Sequence, residues 1–208
     1  MNRLLVRLGL GAIVVALGAA PAFAHHLMGG RMPATFADGI LSGLGHPIIG
    51  LDHFAAVVAV GCLAAAHRAA PALVVAFVAA MTAGVALHLY GTTVPADEIM
   101  VALSVIVLGA IMLRRQNLAI GPALVLFTLT GLLHGYALGE SIYGAEQTPL
   151  YAYLLGLAVI QSVVALAAMN IARLLARRPA DVSPLRLIGA GIAGIGLAVL
   201  MQQIVPGA

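Results

Sequence analysis

The chain has 208 residues, of which 62% are hydrophobic and 8% charged, with a mean hydropathy of +1.10. A soluble domain is roughly 45–50% apolar and about 25% charged, so a water-soluble fold is excluded, and no polar block is long enough to build a separate core. All ten basic residues are arginines; they sit in short connections, not in a stripe that would track phosphates, which argues against nucleic acid as a partner. With Cys62 as the single cysteine, neither a disulfide framework nor a multi-thiolate metal site forms within one chain.

Arg3 and Arg7 precede an apolar stretch that ends in Ala22-Phe23-Ala24, the small-x-small pattern of a signal-peptidase site. The expectation is a cleaved signal peptide over 1–24, with an uncleaved first helix as the alternative. The mature chain, a single transmembrane domain over 25–208, then starts at His25 and His26. A free α-amine beside two imidazoles is a nitrogen-rich donor set that suits copper, nickel or zinc.

Six apolar segments follow, near 40–66, 71–89, 99–113, 118–138, 151–175 and 185–205, most of them close to the roughly 20 residues that cross a bilayer. The predicted fold is an all-α bundle of about six transmembrane helices, the third of them short. Arg68, then Arg114 and Arg115, then Arg173, Arg177, Arg178 and Arg186 fall in the first, third and fifth connections. By the positive-inside rule these face the cytoplasm. The even connections, 90–97 and 139–150, hold Asp97, Glu140 and Glu146, with Glu98 directly after the first, and no basic residue. Both termini are therefore expected outside a bacterial-type inner membrane. The glycines between Gly189 and Gly196 permit close helix approach.

The sharpest feature is Gly45-His46-Pro47-Ile48-Ile49-Gly50-Leu51-Asp52-His53 inside the first mature span. Ionisable groups at that depth are expensive and usually functional. His46 and His53 lie nearly two turns apart on one helical face, about 10.5 Å along a straight helix, too far for one ion. Pro47 removes an amide donor and Gly50 is permissive, so a helix bent or broken there would bring both imidazoles to a shared ion, with Asp52 ligating or orienting one of them. A histidine pair satisfied by packing is the bland alternative. A second cluster, His134 to Glu140, closes the fourth span; His134 would approach the first site if the two helices neighbour each other, although Glu140 also reads as a solvated acid at a helix end. His88, Asp97 and Glu98 outline an outward mouth that would concentrate cations. His67 beside Arg68 reads as solvated.

The residues His46, Pro47, Gly50, Asp52 and His53, then Pro95 to Glu98 followed by Ser104 and Gly109, and finally His134, Gly135, Gly139 and Glu140 resemble the signature motifs of the HupE/UreJ family. These are integral membrane proteins encoded with hydrogenase and urease systems and regarded as nickel or cobalt permeases. The resemblance covers most of the mature chain and implies metal-related roles for His46, Asp52, His53, His134 and Glu140. The family pattern has a second histidine at the place of Leu138 and another in the fifth span, where this chain offers none around 161–165.

The reading that follows is a secondary or facilitated transporter of a divalent transition-metal ion, nickel first and then cobalt, zinc or copper, that supplies a hydrogenase, urease or other metalloenzyme maturation system. No phosphate-binding loop points to ATP. Protonation of imidazole and carboxylate would weaken metal binding and tie release to pH. A non-transporting metallochaperone is the alternative, an intramembrane zinc hydrolase a minor one, and a haem protein with paired axial histidines a further reading.

Overall fold

A computed structural model describes residues 31–114, 118–177 and 183–205. The signal-peptide segment, His25 and His26 lie outside the described residues. Within them the chain is helical: α1 (Phe36–Ile49), α2 (Leu51–Ala64), α3 (Ala70–Leu89), α4 (Asp97–Arg114), α5 (Ile120–Gly139) continued by a 3-10 turn (Glu140–Ile142), α6 (Gln147–Ala176) and α7 (Pro184–Ile204).

Local chemistry sets the ends of these helices. Asp38 N–H donates to Thr35 Oγ at 3.1 Å, while Asp38 Oδ2 accepts from Thr35 N–H at 3.0 Å, a reciprocal cap that opens α1. Pro71 and Pro184 occupy the first turns of α3 and α7, where the missing amide proton has no intrahelical acceptor to lose. At the same end as these prolines, Arg173 Nε donates to Ala65 O at 3.4 Å and Arg186 Nε to Leu113 O at 3.1 Å. Each guanidinium meets carbonyls that the last turns of α2 and α4 leave over.

The expected bend is present. Gly50, extended at φ −70° and ψ 101°, separates α1 from α2, and the two axes meet at 79°. Pro47 lies inside α1, one turn ahead of the break. A side chain at position 50 would place its Cβ 2.9 Å from His53 Cδ2, so glycine is what lets the His53 ring lie over the break.

Four segments are long and apolar enough to cross a membrane, namely α3, α5 with its 3-10 turn, α6 and α7, and the bent pair α1–α2 qualifies jointly as a fifth. Helix α4 is the short third segment of the sequence: it carries Asp97, Glu98 and Arg114 within its 18 residues and falls outside that criterion. It is nonetheless part of the bundle, burying Val101, Val105, Leu108 and Met112.

Small residues bring the helices together in sets. Gly84, Gly131 and Gly135 seat α3 on α5, Gly109, Gly189 and Gly196 seat α4 on α7, and Gly39, Gly43 and Gly61 lay α1 and α2 along α6. At each of these a Cβ would meet backbone of the facing helix, so the axes approach to a distance that only glycine allows. The order of the contacts gives directions: α3 and α5 run parallel, α6 runs parallel to α1 and α2, and α4 and α7 run antiparallel, as a path of alternating crossings produces.

The outward faces are apolar, with Val75, Val125, Leu129, Leu155, Val163 and Leu187 exposed, whereas Ser42, His46, Asp52, His53, Thr130, His134 and Gln161 are buried. Apolar outside and polar inside is the arrangement of a bundle solvated by lipid.

Candidate metal site at the helix break

His53 stands in the first turn of α2 and His134 in the last turns of α5. Their Nδ1 atoms lie 2.7 Å apart, with the rings edge to face at 4.9 Å between centroids. On its far side His134 Nε2 is 2.9 Å from Ser104 Oγ of α4, which is in turn 2.7 Å from Val101 O. The proton order follows from these acceptors. A carbonyl only accepts, so the single Ser104 hydroxyl proton goes to Val101 O and Ser104 Oγ accepts from His134 Nε2–H. Neutral His134 then presents a bare Nδ1, which accepts from His53 Nδ1–H. Three helices are thereby linked by one directed chain of hydrogen bonds inside the apolar core.

A metal ion at this pair would meet a short spacing. Two nitrogens at about 2.0–2.1 Å from one ion and at right angles to each other are about 2.9 Å apart, a few tenths of an ångström more than the pair shows. An ion between the two Nδ1 atoms would replace the shared proton and would require His53 to carry its proton on Nε2. Proton and ion would then compete for the same place.

The other sequence-predicted residues are distributed around this pair. Asp52 is buried, and its Oδ1 accepts the His53 backbone N–H at 2.8 Å, placing a carboxylate at the positive end of α2. His46 is buried on the α1 side of the break, its ring edge-on to Tyr153 at 6.4 Å. Tyr153 donates to Leu138 O at 2.9 Å, and Ser141 Oγ lies 3.1 Å from the Tyr153 hydroxyl. Glu140 is exposed in the 3-10 turn at the end of α5. The structure thus brings His53 and His134 into contact, keeps Asp52 beside them, and sets His46 and Glu140 on either flank. Among the described residues, no three His, Cys, Asp or Glu side chains form a group able to hold a metal ion.

The acidic end of the bundle surrounds Glu98, which precedes the apolar run of α4. Partial burial first, and then the carboxylates of Asp52, Asp97 and Glu140, push the Glu98 carboxyl up to about 7. Nearby, the His88 ring packs against Tyr136 at 4.7 Å and Tyr143 at 5.7 Å. Tyr136 donates to Thr92 O at 2.7 Å and accepts from Val94 N–H at 3.1 Å, pinning the α3–α4 connection to α5. At the arginine-bearing end, a mostly apolar cavity lined by Cys62, His67, Met112, Phe127 and Leu185 lies away from the imidazole pair.

Two residues of this interior escaped the sequence reading of the site. Ser104 carried a motif match but no ligand role, because its relation to His134 depends on how α4 meets α5. Gln161 stands within an apolar helix, where a lone amide in the middle of such a span is the available signal.

Comparison with known proteins agrees with the motif reading. The family model described as HupE / UreJ protein matches residues 13–199. The protein named Protein HupE from Rhizobium leguminosarum bv. viciae is 35% identical over 123 residues, which cover 58% of this chain and 62% of that relative. No solved structure matches the chain. With nearly its whole length matched by the family model, the chain belongs to the HupE/UreJ family.

Proposed function

We propose that this protein passes a divalent transition-metal ion, nickel first and cobalt second, across the membrane by a secondary or facilitated route, and so supplies the maturation of a metalloenzyme such as a hydrogenase or urease. Membership of the HupE/UreJ family supports the choice of cargo. The observation that carries the reading is the buried pair of His53 and His134, with Nδ1 atoms 2.7 Å apart at a break in a membrane-embedded helix. Borderline ions of this kind favour imidazole nitrogen. Two imidazoles with a hydroxyl behind them form a site of modest strength, and conduction requires binding strong enough to admit an ion and weak enough to release it.

In this reading the carboxylates of Asp97, Glu98 and Glu140 collect the hydrated ion at an outward mouth, and His25 and His26, when the leader is removed, capture it further out. The ion then exchanges waters for His53 and His134, with Asp52 balancing its charge and His46 on the approach. Each proton returned to an imidazole expels the ion, because a nitrogen must be deprotonated to ligate. The arginine-bearing connections face the cytoplasm, and both termini face the periplasm.

The test is uptake of radiolabelled nickel into proteoliposomes, with cobalt, zinc and copper as competitors, by the wild type and by His53→Ala, His134→Ala and His46→Ala/His53→Ala variants. Saturable uptake lost in the variants is the expected outcome. Stoichiometric nickel binding with no uptake above empty vesicles would replace transport by a metallochaperone role.

A further inference from the structure

Away from the imidazole pair, a cavity of about 200 Å³ lies between the last turns of α2 and α4 and the first turns of α5 and α7. Among its walls Cys62, Met112, Ala123 and Phe127 are buried, Leu185 is half-buried and Ala66 is exposed, so the cavity deepens from the arginine-bearing end into the bundle. The polar groups of its lining are the Cys62 thiol, His67 and Ser183, and the thiol already donates to Ala168 O at 3.9 Å. A water molecule needs about two to four polar partners, whereas an apolar cavity of about 150 Å³ takes benzene. The lining therefore suits a hydrocarbon guest.

Around the mouth of the cavity the charge is of one sign. Segments 65–69, 113–119 and 173–186 hold seven arginines against a single acid, Asp181. Three of these arginines adjoin the lining: Arg68 follows His67, Arg114 stands two residues past Met112, and Arg186 follows Leu185. All three are exposed. Arg186 is also held in place, because its Nε donates to Leu113 O at 3.1 Å. That contact commits one of the five guanidinium N–H donors and leaves the outer fork to an anion of phosphate geometry.

We propose that this cavity seats one acyl chain of an anionic phospholipid, with the lipid phosphate on Arg186 and with Arg68 and Arg114 adding to the attraction. Basic pockets between transmembrane helices recognise lipid head groups in this way. Both parts of such a molecule are matched, the anionic head by the arginines and the hydrocarbon by the lining. A lipid chain also runs from its head toward the bilayer centre, the direction in which the cavity deepens. One seated chain touches four helices at once, so its occupancy acts on how their ends pack. The inference does not depend on which ion the protein carries.

The experiment uses the wild type, Arg186→Gln and Ala123→Leu in neutral detergent. Native mass spectrometry counts the lipid that each retains from an equimolar mixture of phosphatidylglycerol and phosphatidylcholine. Alkylation of Cys62, the single cysteine of the chain, by N-ethylmaleimide reports on the cavity itself. The wild type is expected to retain one phosphatidylglycerol. Arg186→Gln is expected to lower the preference over phosphatidylcholine about fivefold, and Ala123→Leu, which fills the floor, to lower retention about tenfold. Phosphatidylglycerol at about ten times its dissociation constant is expected to slow alkylation of the wild type about tenfold, with no slowing by phosphatidylcholine or inorganic phosphate. Where Ala123→Leu fails to fold, this protection of Cys62 decides. Equal retention of the two lipids with equal alkylation rates overturns the proposal. A phosphatidylglycerol preference that survives Ala123→Leu and leaves Cys62 unprotected places the lipid on the arginine surface, outside the cavity, and overturns it too. Slowing by inorganic phosphate to the same extent replaces the lipid by a free anion.

Discussion

The Ser104 hydroxyl stands at the end of a proton chain that fixes which nitrogen of His134 is bare. In Ser104→Ala the His134 Nε2–H loses its acceptor in an apolar core, which costs about 1–3 kcal/mol, and the tautomer that exposes Nδ1 to His53 is no longer favoured. Nickel affinity measured by titration calorimetry is expected to fall about 10- to 100-fold, while helix content stays unchanged. Glu98 makes a second prediction at this scale, with a sign that can be worked out. Its folded carboxyl titrates near 7 against an ordinary 4.5, so the folded state loses stability as pH rises from 4.5 through 7, and the loss is constant above that. Glu98→Gln removes the loss. Thermal unfolding should show the variant stabilised at pH 8, less so at pH 6, and equal to the wild type below pH 4.5. The individual ligand-type residues were legible in the sequence because a histidine or aspartate inside an apolar run needs a reason. Their pairing was legible only conditionally, since His134 reaches His53 only where the first and fourth spans are neighbours. Helical spacing offered His46 as the partner of His53, whereas the imidazole in contact with His53 is 81 positions away, a proximity set by the packing of α2 against α5.

Between elements, the decisive contacts are those where no side chain fits. Gly135→Ala drives a methyl group into the backbone of Met81, which cannot give way as a flexible side-chain end does. The cost is expected at the upper end for one substitution, about 4–5 kcal/mol, seen as loss of monodisperse protein in detergent. Gly121, in the first turn of the same helix, faces open space, and Gly121→Ala is expected to be stabilising by up to about 1 kcal/mol through helix propensity alone. A variant pair with reversed ranking in unfolding assays would contradict the described α3–α5 packing. The helices themselves were readable from apolar length, and the break from Pro47 and Gly50. The position of the break, three residues past the proline, was less so, since proline is tolerated in the last turns of α1 and the extended φ and ψ fall on Gly50. The short third segment also announced itself: the acids at one end of α4 and the arginine at the other leave it the least lipid-suited member of the bundle.

For the whole molecule, charge divides the two ends. With Cys62 replaced by alanine, Thr93→Cys in the acidic α3–α4 connection is expected to react with a membrane-impermeant maleimide in intact cells, and Ala66→Cys near Arg68 only after lysis. The reverse pattern would invert the proposed orientation. Helix α6 carries a separate consequence. Its 30 residues extend about 45 Å, against about 30 Å of hydrocarbon in a typical bilayer, and it lies along both arms of the bent α1–α2 pair. Such a helix tilts to match its surroundings, and the arms that share its surface tilt with it. Unequal tilting of the two arms would change the angle at Gly50, and reconstitution into short-chain and long-chain lipids is expected to change nickel uptake while leaving its competitor ranking intact, lipid chain length then acting as a mechanical setting of the joint that holds His53.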